Sequence, residues 1–305
     1  MPLDAALQQL IATKLAHSHS PQWALPIAEV RQAFRNLWTP ALTGEPVSLR
    51  RIEDVTIPGA GGAIPARVYA PDGPGPLMLY FHGGGYVKGG LEESDAFCRN
   101  LSRVTRHVVL SIDYRLAPEH PFPAALDDAV AATIWAGTHA VDLGGVPGPV
   151  VVCGESAGGN LAAVTCLRLK SDPRIAIRHQ VLLQPVVDFT LSFPSIAMPS
   201  TECLVPREDL AWYYRTYSNS QCDYRDPRVS PIFADDLSGL PPALIIAAEH
   251  DTLRDEARAF AGLLNAAGVA TRYICADGMV HGFMQMRGLV PDAQSATEEI
   301  ARALN

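Results

Sequence analysis

Nine residues, VCGESAGGN at positions 152–160, put one serine between glycines two positions away on either side, directly after a run of β-branched residues. A serine hydroxyl attacks poorly until a base takes its proton and an acid orients that base. The stretch therefore places a demand on the rest of the chain: a histidine and a carboxylate able to reach Ser156. The spacing Gly154-Glu155-Ser156-Ala157-Gly158, between an expected strand and an expected helix, matches a nucleophile elbow. In such an elbow a tight turn strains the serine backbone, and a Cβ on the flanking residues would collide with the neighbouring strand or helix. The turn lifts the hydroxyl to the carboxyl end of the sheet, beside a helix N-terminus whose amides favour negative charge.

Elbow sites carry their partners in the order serine, acid, histidine. Of the nine histidines only His179, His250 and His281 follow Ser156. His179 opens a strand ahead of every good acid candidate, and His250 precedes Asp251 instead of following it. His281 lies in DGMVHGF, a glycine-containing loop after the last expected strand, and is the expected base. Glu249, Asp251, Asp255 and Asp277 compete for the orienting role. Asp251 follows the strand ALIIAAEH at its carboxyl end and is preferred. Asp255 is the alternative, although it lies a turn into a helix expected to begin near Leu253, where the helix dipole alone would favour a carboxylate.

Attack on an ester carbonyl generates an oxyanion, and losing one preorganised donor to it typically costs about 3 to 4 kcal/mol. Phe81-His82-Gly83-Gly84-Gly85-Tyr86 follows the strand LMLYF, and its three glycines leave backbone amides unshielded. Gly84 and Gly85, with the amide of Ala157, are the expected donors, and Gly83 is a close substitute. These glycines make a poor nucleotide cradle, because Lys88 stands where Gly-x-Gly-x-x-Gly needs glycine and no Gly-Lys-Ser or Gly-Lys-Thr follows.

The elements that must position these groups can be read from periodicity. Leu3, Leu7, Leu10, Ile11 and Leu15 recur at helical spacing, and a second helical segment runs from Trp23 through Ile27, Val30, Phe34, Leu37 and Trp38. Its aromatic face suits either core packing or a wall over a pocket. Short β-rich runs follow from about residue 50: RIEDVTI, AIPARVYAP, LMLYFH and HVVLSIDY. Helices are expected at about 123–137, 157–170, 253–267 and 292–304, alternating with the strands PVVVCG, HQVLLQPVV, ALIIAAEH and VATRYIC. Continuous apolar strands separated by helices predict an α/β fold with a mostly parallel central sheet covered on both faces. Residues about 187–232 break the alternation with proline, serine and aromatics and read as an inserted lid or binding segment.

The chain of 305 residues can bury a large core, with 48% hydrophobic and 18% charged residues. A net charge of −8 and the lack of any Lys/Arg cluster argue against nucleic acid as a partner. Asp4 stands where a signal peptide would be basic, and the most apolar stretch, about 149–169, is broken by Pro149, Glu155 and glycines, so neither secretion nor stable membrane insertion is expected. The expected location is cytoplasmic. Six cysteines without a Cys-x-x-Cys pair read as reduced thiols, not as a disulfide scaffold or metal site.

Taken together, His82-Gly83-Gly84-Gly85, DYRLAPEHPFPAALDD at 113–128, GESAGGNLAA at 154–163, and the DTLRDEA and HGF segments resemble the hormone-sensitive-lipase-like branch of the α/β-hydrolases, over about residues 50 to 290. Two local departures are Glu155, where many relatives carry aspartate, and Thr252, where they often have proline; neither removes a catalytic atom. The resemblance implies an α/β-hydrolase fold with a helical cap, and a carboxylesterase acting on short- to medium-chain acyl esters without metal or cofactor. It divides the chain into a cap segment at 1–45 and a catalytic domain at 46–305 with the cap insertion at about 187–232. Arg115, Glu119 and His120 look like organisers of the loop under the oxyanion glycines, Glu155 like a structural acceptor, and Asp188 like an anchor of the insertion. An amidase, an acyltransferase or a non-catalytic ligand receptor are the alternatives, the last disfavoured because His281 is present. With an ordinary histidine as base, activity is expected to fall on acidification through roughly pH 6. VATRYIC, as an exposed sheet edge, suggests a homodimer.

Overall fold

In the computed structural model, which describes residues 1–17, 20–219 and 222–305, the strands run in chain order as β1 (Arg51–Gly59), β2 (Gly62–Ala70), β3 (Leu77–Phe81), β4 (Val108–Ile112), β5 (Val150–Glu155), β6 (Ile177–Leu183), β7 (Ala243–His250) and β8 (Thr271–Val280). They form one sheet in the order β1-β2-β4-β3-β5-β6-β7-β8. β1 and β2 are an antiparallel hairpin, β2 pairs antiparallel with β4, and all later pairings are parallel. β3, β4 and β5 are buried along their whole length, as their mostly apolar sequences, broken only by Ser111 in β4 and by Gly154 and Glu155 at the end of β5, suit strands covered on both faces.

The helices are α1 (Ala5–His17), α2 (Ile27–Leu37), α3 (Pro40–Thr43), α4 (Leu91–Thr105), α5 (Ala124–His139), α6 (Ala157–Leu169), α7 (Arg207–Ser218), α8 (Arg254–Ala266) and α9 (Asp292–Leu304). The two-residue alternation of the strands sorts the core into two layers. Leu79, Leu110, Val152 and Leu182 pack with residues of α5, α6 and α8, whereas Met78, Val109, Val151 and Val181 pack with residues of α4 and α9. The first layer also takes in α7, and the second takes in Leu7 and Ile11 of α1.

Besides the short α3 and β8, which runs on to Val280 through the DGMV expected as a loop, two elements depart from the sequence reading. The helical segment expected from Trp23 to Trp38 is broken: Trp23 lies in a short 3-10 turn, Gln22–Ala24, and α2 begins only after Pro26. Proline pushes its predecessor out of helical space, and Leu25 is accordingly extended at φ −100°, ψ 150°. The second departure is α4, for which the sequence reading had no counterpart. Its N-cap is Gly90 with no side-chain cap, and Phe97 and Leu101 carry its apolar face among buried polar residues such as Ser94, Asn100 and Ser102.

The segment expected as an insertion holds a 3-10 turn (Pro194–Ala197), α7 and a second 3-10 turn (Pro231–Phe233); residues 220 and 221 of that expectation, like 18 and 19 of the N-terminal segment, lie outside the described residues. Asp188 at its head is buried and accepts hydrogen bonds from the Thr190 amide (2.8 Å), the Thr190 hydroxyl (2.9 Å) and the Ser192 hydroxyl (2.8 Å). No helix among the described residues is long and apolar enough to cross a membrane. The cysteines are free thiols, with Cys98, Cys153, Cys166 and Cys203 buried.

Candidate active site

Ser156 joins β5 to α6 with φ 57° and ψ −117°, a conformation that a residue with a side chain adopts only when its surroundings enforce it. Three hydrogen bonds do so. The Ser156 amide donates to the Leu183 carbonyl (2.8 Å), and the Ser156 carbonyl accepts from the Asn160 (3.0 Å) and Val186 (3.2 Å) amides. The flanking glycines have the steric reason expected of them. A Cβ on Gly154 would stand 2.0 Å from the Gly158 carbonyl oxygen, and one on Gly158 would stand 1.9 Å from that of Phe81.

His281 follows β8 directly and Asp251 follows β7, and these neighbouring strands pair as far as His250 with Val280. The two side chains therefore leave the sheet side by side at its carboxyl end. His281 Nε2 lies 2.9 Å from Ser156 Oγ, and His281 Nδ1 lies 2.8 Å from Asp251 Oδ2. Asp251 Oδ1 accepts from the Leu253 amide (3.0 Å), which fixes the carboxylate plane. Burial disfavours the imidazolium, but the charge and hydrogen bond of Asp251 outweigh it, so the His281 pKa stands above its ordinary 6.5. The raised pKa moves the pH at which the imidazole becomes neutral upward from the roughly pH 6 of the sequence reading.

The competing residues go elsewhere. Asp255 accepts from the Ser195 amide (2.9 Å) and so ties the insertion to α8. Glu249 accepts from the Gly278 amide (2.8 Å), Asp277 is exposed, and His250 contacts the Met1 carbonyl (3.2 Å). His179 is a residue of β6, away from the carboxyl end.

The glycine loop lies against the serine: a Cβ on Gly83 would come within 3.5 Å of Ser156 Cβ. Gly84 and Gly85 have φ +121° and +63°, and a Cβ on Gly84 would meet the Lys88 carbonyl at 2.1 Å. Among the described residues the amides of Gly83, Gly84, Gly85 and Ala157 have no acceptor, so they are free to face a ligand oxygen. Ala157 is the first residue of α6, where the helix dipole adds to its amide.

The support beneath this loop is Tyr114, which sequence reasoning did not single out. Its ring stacks on His82 at 4.2 Å, and its hydroxyl donates to the His82 carbonyl (2.7 Å). Burial pushes the His82 pKa down to about 4, which leaves a neutral ring whose Nδ1 lies 2.7 Å from the Gly83 carbonyl. Arg115 instead grips Asp128 of α5 (2.8 Å), Glu119 pairs with Arg31 of α2 (2.6 Å), and the exposed His120 donates its amide to the Leu116 carbonyl (2.9 Å).

Gln184 was also missed. It precedes Pro185 on a positive φ of 47°, accepts from the Gly282 amide (2.7 Å) and donates to the Val280 carbonyl (3.1 Å), clamping the backbone on both sides of His281. No sequence signal marks it. Glu155 lies 3% exposed, hydrogen-bonded by Gln285, and burial raises its pKa.

Over Ser156 lies a cavity of about 650 Å³. Its floor is Gly83, Gly84, Gly85, Glu155, Ser156 and His281, and its roof comes from α2 (Val30, Phe34, Leu37) and α7 (Asp209, Leu210, Tyr213, Tyr214). The aromatic face of α2 is thus a pocket wall. Arg31 pins α2 by donating to the carbonyls of Val87 (2.8 Å) and Ala117 (3.0 Å) as well as to Glu119. Among the described residues no group of three or more His, Cys, Asp or Glu could hold a metal ion.

A hydroxyl on a hydrogen-bonded imidazole, a carboxylate behind the imidazole and free amides beside the hydroxyl form a constellation able to move a proton and receive an oxyanion. The comparisons with known proteins agree with that chemistry. A family model described as alpha/beta hydrolase fold matches residues 78–285. The chain is 44% identical over 263 residues to carboxylic ester hydrolase LipN of Mycobacterium tuberculosis, covering 83% of this chain and 69% of the relative. It is 34% identical over 309 residues to ethyl acetate hydrolase of Pseudomonas putida, covering 99% and 97%. An esterase of Pyrobaculum calidifontis superposes with a TM-score of 0.91 at 40% identity, covering 99% of this chain and 98% of that one. The sheet, the motifs around Ser156 and these relatives place one conclusion beyond the resemblance: the chain belongs to the alpha/beta hydrolase fold family, in its hormone-sensitive-lipase-like branch.

Proposed function

We propose that the protein is a serine carboxylesterase in which Ser156 is the nucleophile, His281 the general base and acid, and Asp251 the residue that orients and charges the imidazole. The observation that carries this is the unbroken hydrogen-bond chain from Ser156 Oγ through the His281 ring to Asp251, beside four amides without an acceptor among the described residues. Oγ attacks the ester carbonyl while its proton passes to His281 Nε2. The carbonyl oxygen becomes an oxyanion facing the amides of Gly83, Gly84 or Gly85 and of Ala157. The tetrahedral intermediate then collapses: the C–O bond to the alcohol breaks, and the imidazolium returns its proton to that leaving oxygen. Water attacks the acyl-enzyme with its proton passing to Nε2, and release of the acid restores the serine hydroxyl.

The test is nitrophenyl butyrate hydrolysis by the protein and by its Ser156→Ala variant. The variant should fold and lose several orders of magnitude in rate; a variant that keeps its rate refutes the nucleophile. Short- to medium-chain acyl groups are the proposed substrates, supported by a mostly apolar pocket of about 650 Å³ and by the name of the Pseudomonas putida relative. A profile over nitrophenyl esters that peaks at long acyl chains would contradict this. The cap is proposed to comprise residues 1–45 and the 187–232 insertion. Free cysteines support a cytoplasmic, reducing location, testable by fractionation. A homodimer through the edge of β8, which among the described residues pairs with β7 alone, is proposed on the same footing, and sedimentation as a monomer would reject it.

A further inference from the structure

One feature of the cavity is foreign to an apolar acyl pocket. Lys88, on the loop that carries the oxyanion glycines, is 9% exposed and turns its ammonium into the cavity. The ammonium sits 4.8 Å from the centre of the Phe34 ring and 5.1 Å from that of Tyr213, an aromatic cage that favours a cation. It has three protons to donate. Among the described residues one acceptor is provided, Gln22 Oε1 at 2.6 Å.

Gln22 is itself held in place. Its Oε1 also accepts from the Tyr213 hydroxyl (3.1 Å), and its Nε2 donates to Asp209 Oδ2 (2.8 Å). Asp209 in turn lies 3.8 Å from the Lys14 ammonium, and Lys14 donates to the Leu204 carbonyl (2.6 Å). The polar end of the cavity therefore holds two ammonium groups against one carboxylate. Among the described residues the other ionisable groups of the wall are His281, Glu155, Tyr213 and Tyr214, and burial favours the uncharged form of Glu155 and of both tyrosines. A buried cation with unused donors, outnumbering its anions in an otherwise apolar chamber, gains most from a second anion brought in by a ligand.

We propose that Lys88, held in place by Gln22, forms a recognition site for a carboxylate on the substrate, so that the esters this enzyme prefers carry an acid group in their acyl or their alcohol half. Burial, helped by the charge of Lys14 and opposed by that of Asp209, pushes Lys88 down to about 7, the strain of an under-solvated ammonium that a carboxylate beside it would relieve. The charge of Lys88 also reaches His281, whose pKa it lowers, so the two groups share one chamber.

The inference rests on the serine-esterase reading, and its test separates the two. At neutral pH, kcat/KM is measured for monomethyl succinate, glutarate, adipate and pimelate, each against the uncharged methyl alkanoate of equal carbon number. A second arm uses acetoxybutanoate against butyl acetate, which distinguishes an acid on the alcohol side from one on the acyl side. The ratio of charged to uncharged ester should exceed one for at least one pair. In Lys88→Met that ratio should fall by about tenfold or more, as expected for loss of a charge-assisted hydrogen bond. Because both rates come from the same variant, any loss of folding or of catalysis cancels. Ratios below one throughout, or a smaller fall in Lys88→Met, overturn the proposal, and the first of these needs only the unaltered protein. Turnover of the uncharged esters that vanishes in Ser156→Ala is the control: where it is seen and the ratios fail, only the anion site is lost, and where it is absent both readings fall.

Discussion

Asp251→Asn probes the site where its chemistry is least visible from the outside. The Leu253 amide donates to Asp251 Oδ1 at 3.0 Å, and an asparagine keeps that bond only with its carbonyl oxygen turned toward Leu253. Its NH₂ group then faces His281 Nδ1, where Asp251 Oδ2 accepts at 2.8 Å in the native protein. Facing a donor, Nδ1 must become an acceptor, so the ring proton moves to Nε2 and points at Ser156 Oγ. An imidazole in that tautomer cannot take the hydroxyl proton. The loss expected is about 10⁴-fold in kcat, or about 5 kcal/mol of barrier, with the fold intact. The pH profile should move as well. In the native site burial lowers the His281 pKa and Asp251 more than restores it; with the carboxylate gone, burial is left opposed only by weaker neighbours. The acid limb of the residual activity should therefore shift to lower pH. Nitrophenyl butyrate hydrolysis followed from about pH 5 to about pH 9 reads both effects. A variant that keeps more than a tenth of the native rate, or whose acid limb moves upward, would refute the reasoning.

Three further expectations follow from the same contacts. Asp255→Asn should leave turnover within about threefold of native while weakening the tie to Ser195; a loss comparable to that of Asp251→Asn would mean that the wrong carboxylate has been placed behind His281. Gly158→Ala drives a methyl to 1.9 Å from the Phe81 carbonyl, main chain against main chain, and should cost about 3 kcal/mol or more in denaturant titrations; an unchanged midpoint would contradict the packing of the elbow. Arg31→Ala releases α2 from the carbonyls of Val87 and Ala117 and from Glu119, and should raise KM by about three- to tenfold with a smaller change in kcat; an effect confined to kcat would deny α2 a part in the pocket.

How much of this was legible in the chain depends on how local each signal is. The elbow could be read because its Gly-x-Ser-x-Gly spacing is local, Gly154 being required by contact with Gly158 four residues on, even though Gly158 itself is required by the distant Phe81 carbonyl. Asp251 and His281 could be singled out because the chain order serine, acid, histidine is constrained and Asp251 follows a clear apolar strand, although β8 runs on through the DGMV expected as a loop. The strand order was not legible: placing β4 between β2 and β3 is decided by long-range pairing that leaves no periodic trace. α4 escaped because glycine precedes it and its buried face mixes Ser94, Asn100 and Ser102 with Phe97 and Leu101, which blurs the apolar stripe. Gln184 and Tyr114 act through backbone carbonyls and amides distant in sequence, so their residue types advertise nothing. Lys88 was read only as the residue that spoils a nucleotide-binding pattern; that it turns into the cavity beside Phe34 and Tyr213 depends on α2 and α7 folding over it.

The most direct measurement on the central claim is covalent trapping. An alkyl nitrophenyl phosphonate mimics the tetrahedral intermediate and should react stoichiometrically, releasing one nitrophenolate per chain. Peptide mass mapping should find the phosphonyl group on Ser156, and His281→Ala should slow the labelling by orders of magnitude. Label on any other residue, or labelling at an undiminished rate without the imidazole, would contradict the account.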